Sequence, residues 1–190
     1  MPNWCSNYIT VTHSDAEQIT RFVEAANRGE LFKEFVPCPP ELFEDVEVGE
    51  DYVARREAKQ AENREKYGYG DWYTWCTTNW GTKWDIYDTT EASIDGDTTA
   101  HVSFDTAWGP PIAFYDAITD LGFTVDGIYT EEGMCFCGVY NSESGEEYFE
   151  YDPEQLMDDT EELWKKEYPA DLHSFIENVI ENYIEMTADD

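Results

Sequence analysis

Ala100-His101-Val102-Ser103-Phe104-Asp105-Thr106-Ala107-Trp108-Gly109-Pro110-Pro111-Ile112-Ala113-Phe114-Tyr115-Asp116-Ala117-Ile118-Thr119-Asp120-Leu121-Gly122-Phe123-Thr124-Val125 is the stretch whose reading decides the fold. Residues 100–104 alternate apolar and polar side chains, the pattern of a half-buried strand. Trp108-Gly109-Pro110-Pro111 breaks that strand, and proline at a helix start is pre-set for the first turn, so a helix is expected over 112–121. Gly122 ends it, and residues 123–125 open another strand.

Working outward, residues 8–12 are rich in β-branched side chains and read as the first strand. Ser14 or Asp15 then caps a helix with Ile19, Phe22, Val23 and Ala26 on one stripe, ending near Asn27-Arg28-Gly29. Prolines in residues 35–40 break any regular element and predict a rigid surface turn. Residues 51–66 form a polar helix standing proud of the core, with Arg55, Arg56, Lys59, Arg64 and Lys66 supplying 5 of the 11 basic residues. Downstream, residues 134–140 and 147–151 read as strands joined through Asn141-Ser142-Glu143-Ser144-Gly145 as a hairpin. An acidic loop over 152–167 and an apolar-striped helix over 170–186 close the chain. The order predicts an α+β fold of the ferredoxin-like kind, an antiparallel or mixed sheet with helices packed on one face. Its domain spans 1–151, and residues 152–190 add an acidic loop and an amphipathic helix on the same core.

The chain of 190 residues carries 43 Asp+Glu against 11 Lys+Arg, a net charge of −32. Its 7 Trp, 13 Tyr and 10 Phe exclude an acidic disordered chain, since such chains lack core-forming side chains. The charge repels phosphates, which argues against direct binding of nucleic acid or an anionic membrane and for a basic protein partner. No stretch approaches the roughly 18 apolar residues of a membrane helix, and the start lacks a secretory pattern, so host cytosol is the expected compartment. Cys5, Cys38, Cys76, Cys135 and Cys137 contain no CxxC pair and read as structural thiols. Cys135 and Cys137, two apart in a predicted strand, would share a face; with His13, His101 or His173 they offer metal-ligating atoms without metal-site spacing, so no metal and no cofactor is expected.

Four motifs carry a resemblance: Met1-Pro2-Asn3-Trp4-Cys5-Ser6-Asn7, Trp72-Tyr73-Thr74-Trp75-Cys76, Asn79-Trp80-Gly81-Thr82-Lys83-Trp84-Asp85, and Phe104-Asp105-Thr106-Ala107-Trp108-Gly109-Pro110-Pro111. In that order they resemble the YubB ferredoxin-like family of phages and plasmids, over roughly residues 1–150. The resemblance implies the fold and a mobile-element origin. It transfers no catalytic residue.

Residues 67–84 hold seven aromatics, which must be buried or used for binding. Within them Trp80, Lys83 and Trp84 form the candidate ligand site, a cation beside indoles able to hold a nucleotide; the structural alternative pairs Lys83 with Asp85 or another acid. No GxxxxGK[ST], HExxH or GxSxG occurs, and with so many acids no carboxylate pair stands out, so no enzyme is expected.

Charge supplies the main functional expectation. Residues 131–190 carry 19 acids and 2 bases, more than half of the net charge. A domain of this length is about 40 Å across, a span over which B-DNA presents about 24 phosphates. Glu177, Glu181 and Glu185 recur one turn apart on the closing helix, about 6 Å between neighbours, with nothing in the nearby sequence expected to neutralise them. Glu143, Glu146, Glu147, Glu150, Asp152, Glu154, Asp158, Asp159, Glu161 and Glu162 would complete a duplex-like array. The expected function is that of a phage or plasmid DNA mimic occupying the basic groove of a host defence or DNA-binding protein and inhibiting it, of the anti-restriction or anti-CRISPR type. Ligand binding by the aromatic segment is the alternative.

Overall fold

A computed structural model describes residues 3–89, 92–159 and 162–188. In chain order these form β1 (Trp4–Thr12), α1 (Ala16–Asn27), α2 (Leu31–Phe35), α3 (Tyr52–Tyr67), α4 (Trp72–Asn79), β2 (Ser93–Asp95), β3 (Thr99–Ala107), α5 (Ile112–Asp120), β4 (Thr124–Glu131), β5 (Phe136–Asn141), β6 (Gly145–Glu150), α6 (Pro153–Asp158), α7 (Trp164–Glu167) and α8 (His173–Ala188), with 3-10 turns at Pro40–Phe43 and Ala170–Leu172. Asp15 supplies the cap of α1, accepting the Glu17 N–H at 2.9 Å.

The sheet runs β2-β3-β1-β4-β5-β6, and every neighbouring pair is antiparallel. Because β3 and β4 both flank β1 in antiparallel register, they are parallel to each other and α5 crosses over between them. That split β-α-β unit is the ferredoxin-like signature, and the α+β expectation holds.

Period-two alternation assigns the two faces of the sheet. Ile9, Val11, Ala100, Val102, Phe104, Val125 and Tyr140 share one face through the strand register, and they pack with Ile19, Phe22, Leu31, Phe32, Trp75, Trp80, Phe114 and Ile118 from α1, α2, α4, α5 and the residue ending α4. Cys137, Ile128, Val139 and Phe149 belong to the opposite face and pack with Tyr151, Leu156, Trp164, Leu172, Ile176 and Val179. The C-terminal segment therefore does not join the first core, as expected from the sequence, but builds a second one behind β4, β5 and β6. Its apolar stripe required an uncovered sheet face, and the first face was already filled.

Other elements differ from expectation. The acidic loop contains two short helices, α6 and α7, and three residues of the closing segment form a 3-10 turn before α8. Residues 31–35 and 72–79 are helical, and β5 starts at Phe136 because Cys135 sits in a turn at φ 55°. Cys135 thus lies outside the strand, while Cys137 is buried in it. His13 contacts Phe123, His101 bonds Thr10 and His173 packs on Trp164, so the metal option lacks a meeting point; no group of three His, Cys, Asp or Glu suited to a metal occurs among the described residues. Among them, too, no helix is long and apolar enough to cross a membrane.

Candidate functional site

The described part of the first motif, residues 3–7, meets residues 79–85 and 104–111 at one end of the β1/β3 pair, and Trp75 of the remaining motif packs on Trp80 there. Register sets Trp4 opposite Ala107, Cys5 opposite Thr106 and Asn7 opposite Phe104. Buried Asn7 donates to the carbonyls of Cys5 and Phe104 and to Thr106 Oγ1, and accepts from the Tyr115 hydroxyl. Thr106 in turn donates to the Gly109 carbonyl at 2.8 Å, and the Trp108 N–H reaches the Asn3 carbonyl at 2.9 Å. This closed network holds the Trp108-Gly109-Pro110-Pro111 turn against the start of β1.

Residues 79–85 wrap the same end. Trp80 is buried, its indole N–H donating to the Val36 carbonyl at 2.8 Å and its ring lying against Phe32 and Trp75. Gly81 adopts φ +83° with an added Cβ 3.1 Å from the Ile112 nitrogen, a place where only glycine fits without strain. Thr82 donates to the Ala107 carbonyl at 2.9 Å. Asp85 turns inward, accepting the N–H groups of Phe32, Lys33 and Ile86. Burial raises its pKa above the ordinary carboxylate value, and those three N–H groups pull the other way.

With Asp85 occupied, Lys83 does not pair with it. Among the described residues no carboxylate reaches Lys83 within ion-pair distance. Its ammonium instead stands 4.2 Å from the Trp84 ring centroid, 5.1 Å from that of Trp108 and 5.9 Å from that of Tyr73. These three rings are 40%, 47% and 44% exposed, so the cage opens to solvent. Of the predicted trio, Lys83 and Trp84 come together and Trp80 does not; Tyr73 and Trp108 take its place. Trp108 is a non-glycine residue at φ 70°, a backbone conformation unfavourable for a bulky side chain, and its ring is half exposed.

A groove beside Trp108, about 530 Å³, is lined by Asn3, Trp108, Met134, Phe136, Tyr148 and Glu150. Phe136 and Tyr148 lie 5.5 Å apart between centroids, on neighbouring strands. The buried Glu131 carboxylate takes the N–H groups of Gly133 and Met134 at 2.9 and 2.7 Å, fixing the turn that carries Met134.

The predicted acidic array divides. By strand alternation Glu146 and Glu150 belong to the face of α1 and α5, and Glu147 belongs to the face of α8. Glu146 accepts the Tyr129 hydroxyl at 2.6 Å and Glu150 that of Tyr148 at 3.3 Å. Asp152 caps α6 through the Glu154 N–H, and Asp159 accepts the Trp164 N–H. Lys165 bridges Glu162 at 2.9 Å and Glu177 at 3.6 Å, so the helix ridge is partly neutralised, contrary to expectation. Glu143, Glu147, Glu154, Asp158, Glu181 and Glu185 are exposed and outside any ion pair among the described residues. Glu161 lies outside the described residues.

The thiols are held protonated by burial. Cys38 is pushed up to about 11 and Cys137 to about 12, while Cys5 and Cys76 rise further.

Residues 83–168, just under half of the chain, match the family model described as the ferredoxin-like domain in Api92-like protein. No curated protein matches. Among solved structures, the protein api92 from Yersinia pseudotuberculosis is similar, with 10% sequence identity and a TM-score of 0.40 over 80% of this chain and 99% of that one. From Lys83 to the end of α7, this chain is similar to a ferredoxin-like domain.

Proposed function

We propose that the protein is a non-catalytic binding protein that engages a basic, nucleic-acid-handling partner and competes with nucleic acid for its cationic groove. One observation carries this reading: from residue 71 onward 29 carboxylates meet 3 lysines. Of those lysines, Lys165 is spent on Glu162 and Glu177 and Lys83 stands within its aromatic cage. By contrast, Arg21, Arg28, Lys33, Arg56, Lys59 and Lys66 pair with acids between residues 30 and 45, leaving the negative field to the later half of the chain. A field of this strength steers encounter with cations and weakens with salt. The resemblance to mobile-element proteins favours a host defence effector, in the cytosol, as the target.

Glu146 and Glu150 on one face and Glu147 on the other do not form one flat duplex-like strip, so the reading rests on the charge surplus rather than on that array. Immobilised protein exposed to host lysate at ~50 and ~200 mM salt tests the reading. Nucleic-acid-handling proteins should be retained at the lower salt and released by added duplex DNA; their absence from the retained fraction refutes it.

A second reading makes the Lys83 cage a site for a nucleotide, supported by an ammonium that no described carboxylate neutralises beside three exposed rings. It predicts that nucleotides quench tryptophan fluorescence in the wild type and not in Lys83→Met.

A further inference from the structure

We infer that the groove between Trp108 and Tyr148 is the anchor pocket for an arginine side chain of the basic partner, an inference that rests on the binding function proposed above. Three exposed large apolar side chains, Trp108, Met134 and Tyr148, converge there, where isolated ones would be unremarked on any surface. Its polar wall is Glu150, whose carboxylate accepts only the Tyr148 hydroxyl among the described residues and pairs with no Lys or Arg among them. Aromatic faces beside an unpaired carboxylate match a guanidinium, which stacks on rings and bonds carboxylate oxygens in one plane. Lysine offers a point charge and cannot do both as well.

The walls are preformed. Trp108 is held by the Asn3 carbonyl and the Thr106–Gly109 hydrogen bond, Met134 by Glu131, and Phe136, Tyr148 and Glu150 by the β5/β6 ladder. These bonds fix the backbone of the walls, so little main-chain ordering remains to oppose binding. The chain itself demonstrates the chemistry, since Lys83 already sets its ammonium 5.1 Å from the Trp108 ring centroid. Among the described residues no lysine or arginine lines the groove, and the net charge of −32 complements a basic partner.

Calorimetric titration of the full protein with oligo-arginine and oligo-lysine peptides of equal length, at ~50 and ~200 mM salt, tests the inference. Oligo-arginine should bind about tenfold more tightly and keep that advantage at the higher salt, because stacking is screened less than charge. Glu150→Gln and, separately, Tyr148→Leu should each remove most of the advantage. Lys83→Met should leave arginine binding unchanged or tighten it, by removing a competing cation; weakening overturns the inference. Equal binding of both peptides, unaffected by Glu150→Gln, also overturns it and leaves the charge-based function standing. Failure of both peptides to bind at the lower salt overturns both.

Discussion

The carboxylate of Asp85 accepts the backbone N–H of Phe32 at 2.9 Å, joining the end of the Trp80–Trp84 segment to the first turn of α2. With Lys33 and Ile86 also donating to it, this side chain holds three backbone N–H groups. It explains why an acid follows the half-buried Lys83 and the exposed Trp84: the segment needs a pin, and the pin cannot also serve the lysine.

Asp85→Ala leaves those three N–H groups without their acceptor and should destabilise the fold by about 3 kcal/mol in urea unfolding, from ~1–3 kcal/mol for each group left unsatisfied and partial rescue by water. Asp85→Asn keeps one acceptor oxygen and should cost less. The pH dependence has a definite sign. Because the folded-state pKa of Asp85 is raised above its ordinary 3.8, the folded state binds the proton more readily than the unfolded one. Its contribution is therefore largest below 3.8 and declines as pH rises through the window just above it. The difference in unfolding free energy between wild type and Asp85→Ala should shrink across that window on raising pH; growth of the difference would contradict the assignment.

Gly138→Ala should be among the most damaging substitutions in the sheet. A Cβ at Gly138 would collide with the hydroxyl and ring of Tyr129 and stand 2.6 Å from the Glu147 carbonyl. Tyr129 is buried and anchored to Glu146 at 2.6 Å, so the ring has nowhere to move without breaking that bond. A loss of about 3 kcal/mol is expected from overpacking. Circular dichroism melts should show a lowered midpoint, and Gly145→Ala, with open space around its Cβ but φ +82°, should cost only about 1 kcal/mol.

These positions mark how far the sequence could be read. Asp15 before an apolar stripe and Pro110-Pro111 before Ile112 are local signals, and both produced helices where expected. Asp152-Pro153-Glu154 carries the same cap-and-proline signal, but the acids around it gave the impression of a loop. Alternation alone separates Glu147 from Glu146 and Glu150, so the division of the acidic array was legible too. The pairing of Lys83 with Trp84 was legible, but the share of Trp108 in the cage was not, because it lies 25 residues away and is brought near by long-range contacts such as that of Thr82 with the Ala107 carbonyl. Nor could the second core be foreseen, since a stripe of apolar residues on α8 does not say which face of a sheet it will cover.

Asn7→Ala tests the network that presents Trp108. The substitution strips the Tyr115 hydroxyl of its acceptor and leaves Cys5 and Phe104 carbonyls without the Asn7 donor, all in the buried interior. About 2–4 kcal/mol of stability should be lost. Trp108 should also lose its fixed orientation, seen as lowered anisotropy of its fluorescence in a variant whose other tryptophans are replaced by phenylalanine. Loss of stability with unchanged Trp108 anisotropy would separate the network from the display of the ring.

The three glutamates along α8 are not equivalent, and this gives the last expectation. Glu177 faces Lys165 at 3.6 Å, while Glu181 and Glu185 are exposed without an ion-pair partner among the described residues. Like charges one helical turn apart oppose each other by a few tenths of a kcal/mol. Glu181→Gln relieves repulsion from both Glu177 and Glu185 and should raise the urea midpoint at ~10 mM salt, with the gain fading at ~1 M salt as the screening length contracts. Glu177→Gln removes one repulsion and one attraction together, so its net effect should lie near zero. If Glu177→Gln stabilises about half as much as Glu181→Gln, Lys165 contributes nothing to the ridge. If neither responds to salt, self-repulsion along α8 is negligible and the surplus charge carries no stability penalty for a cationic partner to relieve.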